Sequence, residues 1–152
     1  MLELYERAGE AAWIASLRFA VEVRPRYCEC DGLGHVSNTV YPEYLEFGRL
    51  QYFIAAGDPE PGAFAFTHVT AELHLRYLAP SFYDEPLRIG TKLVALGRSS
   101  ATLEQAVTAV RTGAVRAISR AVAVRSAGEG TAPWTPAQRA ALERFEGRSL
   151  PV

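Results

Sequence analysis

A chain of 152 residues, 49% apolar and 22% charged, is long enough to bury a core as one domain and too apolar for a disordered class. Its net charge of -1 supplies no basic face of the kind nucleic acid requires. No run approaches the ~20 apolar residues that span a bilayer, and the acid-bearing start MLELYERAGEAAWIASLRF does not read as a signal peptide, so a soluble cytoplasmic protein is expected.

Residues 2–16 place Leu2, Tyr5, Ala8, Ala12 and Ala15 at near-helical spacing, which predicts an N-terminal helix. From Arg18 the period becomes two, with Phe19, Val21 and Val23 on one face of a strand that Pro25 ends. The only cysteines, Cys28 and Cys30, point to opposite faces of an extended segment; they are expected as reduced packing residues rather than as a disulfide or a metal clip.

The stretch Glu29 to Arg49 then joins a polar, glycine-punctuated loop to a helix running from near Thr39 or Val40 to about Ala56, with Pro42 in its first turn and Gly57 as its stop. Val40, Tyr41, Tyr44, Leu45, Phe47, Leu50, Tyr52, Phe53 and Ile54 cover so much of its circumference that the helix must be surrounded. Glu46 and Arg49 stand three apart and are expected to pair with each other.

After the proline- and glycine-rich connection 57–66, Val69, Ala71, Leu73, Leu75 and Tyr77 alternate with Thr70, Glu72, His74 and Arg76, predicting a long strand that Pro80 ends. Further strands are expected over 87–95, 101–110 and 114–125, joined by turns at 97–100 and 112–113. Four consecutive strands with short connections predict an antiparallel meander, and a C-terminal helix is expected over 135–146, started by Thr135 or Pro136. The whole chain, 1–152, is expected to be one domain in which one sheet wraps one helix and a second subunit covers the rest.

Chemistry concentrates in the loop, which carries Asp31, His35 and Asn38 around Gly32 and Gly34 and feeds a helix N-terminus, where unpaired N–H groups favour negative charge. Each has a plain alternative: Asp31 as a turn acid bonding its own backbone, His35 as a loop tie, Asn38 as a helix cap. His68 and His74 have no ligand-like spacing, so no metal is expected.

The run from Asp31 through His35, Val36 and Asn38 to Tyr41, followed by Tyr44, Glu46 and Arg49, resembles the hotdog-fold acyl-CoA thioesterases of the 4-hydroxybenzoyl-CoA thioesterase type. The run Leu75 to Pro80, the Tyr83-Asp84 turn and the turn Gly97-Arg98-Ser99-Ser100 are also similar to that family, and the resemblance covers about residues 18–126. Two positions depart from it: Ser37 stands where many relatives have a second Asn, and Leu33 where the plant acyl-carrier-protein thioesterases use one. The resemblance implies an α+β hotdog fold, a long central helix wrapped by a curved antiparallel sheet of about five strands. It also implies a homodimer or homotetramer with the active site at the subunit interface.

The activity implied is hydrolysis of an acyl-CoA to free acid and coenzyme A, with Asp31 as nucleophile or general base and His35 and Asn38 in support. Backbone N–H groups near Val40 and Tyr41 are candidates for holding the oxyanion. Arg76, Arg98, Arg120, Ser99 and Ser100 are candidates for the coenzyme A phosphates. Glu46 is the alternative acid. No cofactor is expected beyond the coenzyme A of the substrate, and no nucleic acid or membrane partner. A hydratase or dehydratase acting on acyl thioesters, and a non-catalytic acyl-CoA-binding protein, are the competing readings; release of free thiol separates both from hydrolysis.

Overall fold

Apolar and polar side chains alternate along several of the chain's extended segments, and the resulting strands curl around one long helix. The computed structural model describes residues 9–57, 68–127 and 130–152. Along it run helix α1 (Glu10–Ala15), strand β1 (Phe19–Val23), a 3-10 turn (Tyr27–Glu29), helix α2 (Val40–Ala55) and strands β2 (His68–Tyr77) and β3 (Leu87–Leu96). Strands β4 (Ser100–Ala109), β5 (Val115–Ala127) and β6 (Gly130–Thr131) and helix α3 (Pro136–Glu146) follow. Of the expected N-terminal helix, residues 2–8 lie outside the described residues. No described helix is long and apolar enough to cross a membrane.

The strand order is β1-β3-β4-β5-β2, every pair antiparallel, with the short β6 on β5. The fold is the hotdog α+β architecture, but the expected meander holds only for β3, β4 and β5. Strand β2 pairs with β5 at the far edge and not with its successor β3. The connection 78–86 explains this: Pro80 and Pro86 deprive it of donors for a tight hairpin, and its backbone bonds go elsewhere. The N–H groups of Leu78 and Ala79 donate to the Arg116 carbonyl, and the Ser81 carbonyl accepts from Val36. The segment therefore crosses the mouth of the curl and braces the loop that carries Asp31.

A β-bulge between Thr70 and Glu72 corrects the predicted faces of β2. One extra residue reverses the alternation before it, so Thr70 and not Val69 meets the helix, and Val69 is 56% exposed.

Helix α2 buries Val40, Tyr41, Tyr44, Leu45, Gly48, Arg49, Tyr52 and Phe53, a stripe at the three- and four-residue spacing of one helix face. Leu45 and Tyr52 are sealed completely, a burial that stabilises by about 1.5–3 kcal/mol for a leucine-sized side chain. Gly48 lets the helix lie directly on β3, because a Cβ there would come within 2.5 Å of Ile89 Cγ2. A single chain leaves one side of the helix open, the side for which a second subunit is expected as cover: Phe47 and Ile54 are 40% and 45% exposed. The sheet has one concave face, and one face covers one stripe.

Helix α3 starts on Thr135, whose hydroxyl caps the Gln138 N–H, and ends on the left-handed Gly147. Its last residues extend the β3 edge beyond the end of β1. Glu146 Oε1 accepts from the Leu93 N–H at 2.8 Å and from the Tyr52 hydroxyl at 2.5 Å, and the Pro151 carbonyl accepts from Leu96.

Candidate active site

The Asp31 loop is a miniature hairpin. Ser37 N–H donates to the Glu29 carbonyl at 2.9 Å and Asp31 N–H to the His35 carbonyl at 2.8 Å, closing a turn in which Gly34 takes φ 76°. A left-handed residue is required there, and glycine adopts it without strain. The base is clamped by the Glu29 side chain, which receives the Tyr44 hydroxyl at 2.7 Å and the N–H and guanidinium of Arg26. Burial acts to raise the Glu29 carboxyl, but the bonds from Arg26 and Tyr44 and the Arg26 charge outweigh it, leaving the group below its ordinary range. Tyr44 is pushed well above its ordinary value, by burial first and then by the Glu29 carboxylate.

Within the turn, Asp31 Oδ1 accepts from the backbone N–H of Leu33 at 2.9 Å and of His35 at 3.3 Å. Its other oxygen has no hydrogen-bond partner among the described residues. His35 packs edge-on against Phe82, with ring centroids 5.3 Å apart. The Asn38 carbonyl accepts the Tyr77 hydroxyl at 2.7 Å, and the Tyr77 ring stands edge-on to Tyr41 at 5.3 Å. Tyr41 is buried and its hydroxyl donates to Ser81 Oγ at 2.9 Å. Asp31, His35, Asn38, Tyr41 and Tyr77 line one pocket of about 360 Å³, floored by the Leu78–Pro80 segment.

The helix start differs from the expectation in two respects. Thr39, not Asn38, occupies the N-cap position, and no side chain caps the helix. The Val40 N–H is already bonded to the Ser37 carbonyl at 3.0 Å, so it is not available to an oxyanion. The N–H groups of Asn38 and Tyr41 have no acceptor among the described residues.

Other residues stand apart in a single chain. Arg76 lies exposed on the convex side of β2 beside Tyr77. Arg98, Ser99 and Ser100 form the β3–β4 turn, at the opposite end of ten-residue strands and on the order of 30 Å from the Asp31 loop. Their carbonyls accept from Trp134, Arg125 and the Trp134 indole, so the turn anchors the C-terminal link. Arg49 does not pair with Glu46: it is 6% exposed and donates to Gln105 Oε1 at 2.9 Å and Thr70 Oγ1 at 3.2 Å. Cys28 is exposed and Cys30 half-buried, so neither is the packing residue expected. Glu29, Tyr44 and Tyr77 were not among the candidate site residues, although Tyr44 and Tyr77 fall in the runs that carry the family resemblance and Glu29 opens the stretch that holds Asp31. No cluster of three His, Cys, Asp or Glu side chains that could hold a metal occurs among the described residues.

Residues 23–142 match the thioesterase-like superfamily. The chain belongs to that family. A thioesterase from Thermus thermophilus, solved with coenzyme A and zinc, is 34% identical, with 88% of this chain and 98% of that one aligned at a TM-score of 0.77. A thioesterase-superfamily protein from Jannaschia sp. CCS1 is 27% identical over 87% of this chain and 85% of that one, with a TM-score of 0.76. A 4-hydroxybenzoyl-CoA thioesterase, bound to 4-hydroxybenzoyl-CoA, shares the fold at a TM-score of 0.73 and 17% identity, over 82% of this chain and 97% of that one. No sequence among the curated proteins matches the chain.

Proposed function

We propose that this family member hydrolyses an acyl-CoA thioester to the free acid and coenzyme A, with Asp31 as the acting carboxylate. One observation carries the reading: Asp31 is steadied through one oxygen by two N–H groups of its own turn, while the other oxygen is unpartnered in a pocket that also holds His35, Asn38 and Tyr41. A carboxylate so held can take a proton from water as the water oxygen bonds to the thioester carbonyl carbon, or can attack that carbon itself. The carbonyl oxygen gains negative charge, which the unspent N–H groups of Asn38 and Tyr41 stabilise at the positive end of α2. In the general-base route collapse breaks the carbon–sulfur bond, and the thiolate leaves as coenzyme A with the proton returned from Asp31. In the nucleophilic route the thiolate leaves an Asp31 mixed anhydride, which water cleaves to the free acid and the restored carboxylate, the released proton going to the thiolate.

The acting unit is a homodimer or homotetramer. Support comes from what one chain leaves open: the edge strand β2 with Val69 and Tyr77 exposed, and the uncovered Phe47 and Ile54 of α2. Arg98, Ser99 and Ser100 lie too far from Asp31 to serve its substrate within one chain, and a second subunit supplies them across the interface. A Val69→Lys protein that stays oligomeric in light scattering would overturn the edge pairing.

The deciding experiment is release of free thiol from a panel of aliphatic and aromatic acyl-CoAs. Asp31→Asn is expected to lower turnover by about 10²–10⁴, the usual weight of general-base catalysis. Undiminished thiol release by that variant would overturn the role of Asp31.

A further inference from the structure

Tyr77, the last residue of β2, touches both residues whose N–H groups are assigned to the oxyanion. Its hydroxyl donates to the Asn38 carbonyl at 2.7 Å, and its ring stands edge-on to Tyr41 with centroids 5.3 Å apart. All three line the pocket that holds Asp31. The hydrolysis as derived gives Tyr77 no part.

The bond to Asn38 fills a gap that the sequence creates. Thr39 already has helical dihedrals, φ -71° and ψ -19°, so the helix repeat would carry one more bond, from the N–H of residue 42 to the Asn38 carbonyl. Pro42 has no N–H to give. The carbonyl is left without a donor from its own helix, and the donor comes instead from a strand residue 39 positions along the chain. That bond fixes the peptide plane between Asn38 and Thr39, which lies between the two unspent N–H groups.

Tyr77 is itself firmly held. Its backbone pairs with Ala117 of β5, and the next two N–H groups, of Leu78 and Ala79, donate to the Arg116 carbonyl. Ser81, four residues on, accepts the Tyr41 hydroxyl at 2.9 Å. One braced segment thus grips the Asn38 carbonyl at one end and the Tyr41 side chain at the other. Burial first, and the neighbouring Tyr41 second, raise the Tyr77 phenol above its ordinary value, so it remains a donor at neutral pH. These contacts lie within one chain and do not depend on a second subunit at the β2 edge.

We infer that Tyr77 is a positioning residue for the oxyanion site, its hydroxyl and ring fixing the start of α2 so that the Asn38 and Tyr41 N–H groups are aimed before the substrate carbonyl gains charge. It acts through those two residues. The inference rests on the thioesterase reading and adds to it the residue that orders the donors. Donors held in advance stabilise an oxyanion without reorganising, and donors that must first be oriented lose part of that gain. Because the charge develops only in the transition state, the effect falls on kcat and not on KM.

The test is thiol release from the acyl-CoA panel by Tyr77→Phe, which keeps the ring and removes the hydroxyl. The bond is solvent-exposed, so this variant is expected to fold as the parent does. Its kcat is expected to fall about tenfold with KM changed by about twofold or less, short of the ~10²–10³ that outright loss of an oxyanion donor costs. Pro42→Ala gives residue 42 an N–H that can reach the Asn38 carbonyl along the helix. In that background Tyr77→Phe is expected to lower kcat by only about threefold or less, because the carbonyl keeps a donor. Equal losses in the two backgrounds, or a Tyr77→Phe protein that matches the parent in kcat, would overturn the inference and leave the thioesterase reading in place. A loss confined to KM would overturn it too, making Tyr77 a pocket wall alone, as would a Tyr77→Phe chain that does not fold. A parent that releases no thiol from any acyl-CoA of the panel overturns the thioesterase reading, and the role of Tyr77 in that reaction with it.

Discussion

The Tyr44 hydroxyl, one turn into the central helix, donates to Glu29 Oε2 at 2.7 Å, and this bond ties the helix to the base of the Asp31 loop. Both groups hold little exposed surface, and Glu29 also carries the Arg26 guanidinium. The loop therefore inherits its position from the rigid helix, although the turn itself is exposed.

Tyr44→Phe removes the donor and keeps the ring, so the protein should still fold with a loss of about 0.5–1.5 kcal/mol, read from chemical denaturation. Turnover should fall through kcat, because Asp31 is less well placed, while Glu29→Gln should add a change in acid sensitivity. The Glu29 carboxyl is depressed in the folded state, so the stability it contributes is present above its unfolded value, ~4.3, and is lost as pH falls through the lower folded value. The parent should lose stability in that acid window, and Glu29→Gln should flatten the loss. Identical acid melting curves for the two proteins would remove Glu29 from this account.

Much of this was legible in the residues because period-two and helical patterns report burial directly. Strands β3 to β5 and helix α2 could be read that way, and the loop that feeds α2 stood out by its glycines and polar groups. Three features could not. The reversal of faces at Val69 and Thr70 comes from one inserted residue, which leaves no mark in an alternating string. The pairing of β2 with β5 rather than β3 depends on where the 78–86 segment finds hydrogen-bond partners, all of them distant in sequence. Arg49 looked like the partner of Glu46 because they are neighbours on the helix, but the helix face toward the sheet carries Arg49 inward to Gln105, 56 residues away.

Glu146 serves as a substitute strand edge, with one oxygen accepting both the Leu93 N–H and the Tyr52 hydroxyl in a buried site. Burial and then the Glu146 carboxylate push Tyr52 well above its ordinary value, so the phenol remains a donor throughout the accessible pH range. Glu146→Ala strands two buried donors and should destabilise by about 2–5 kcal/mol, whereas Tyr52→Phe strands none and should cost about 1 kcal/mol. Equal midpoints for the two variants in urea would show that water replaces the carboxylate.

Gly48 sets how closely α2 lies on β3. Gly48→Ala drives a Cβ to within 2.5 Å of Ile89 Cγ2, an overpacking of about 1–3 kcal/mol that exceeds the ~1 kcal/mol gained from helix propensity. In an Ile89→Ala background the nearest obstructing methyl is absent and only the Gln105 Nε2 contact at 3.1 Å remains, so the same substitution should cost markedly less. Thermal midpoints of the four proteins give the coupling, and additive effects would contradict the contact.

On the convex face, Glu104 is fully buried, and its Oε2 accepts the Trp13 indole at 3.0 Å and lies 3.2 Å from Lys92 Nζ. Lys92 also donates to Ser16 Oγ and sits 5.3 Å from the Trp13 ring, so one charge pair pins α1 to the sheet. Lys92→Met leaves a buried carboxylate without its cation and should destabilise by about 3–5 kcal/mol. Adding Glu104→Gln removes the stranded charge while keeping an acceptor for Trp13, and should recover most of the loss. The double variant separates two accounts of the site. Recovery means that the lysine is required because Glu104 is charged, and no recovery means that its aliphatic packing over Trp13 holds the helix. Tryptophan fluorescence during unfolding reads the release of α1 in the same samples, since Trp13 leaves a buried site while Trp134 reports on the opposite face.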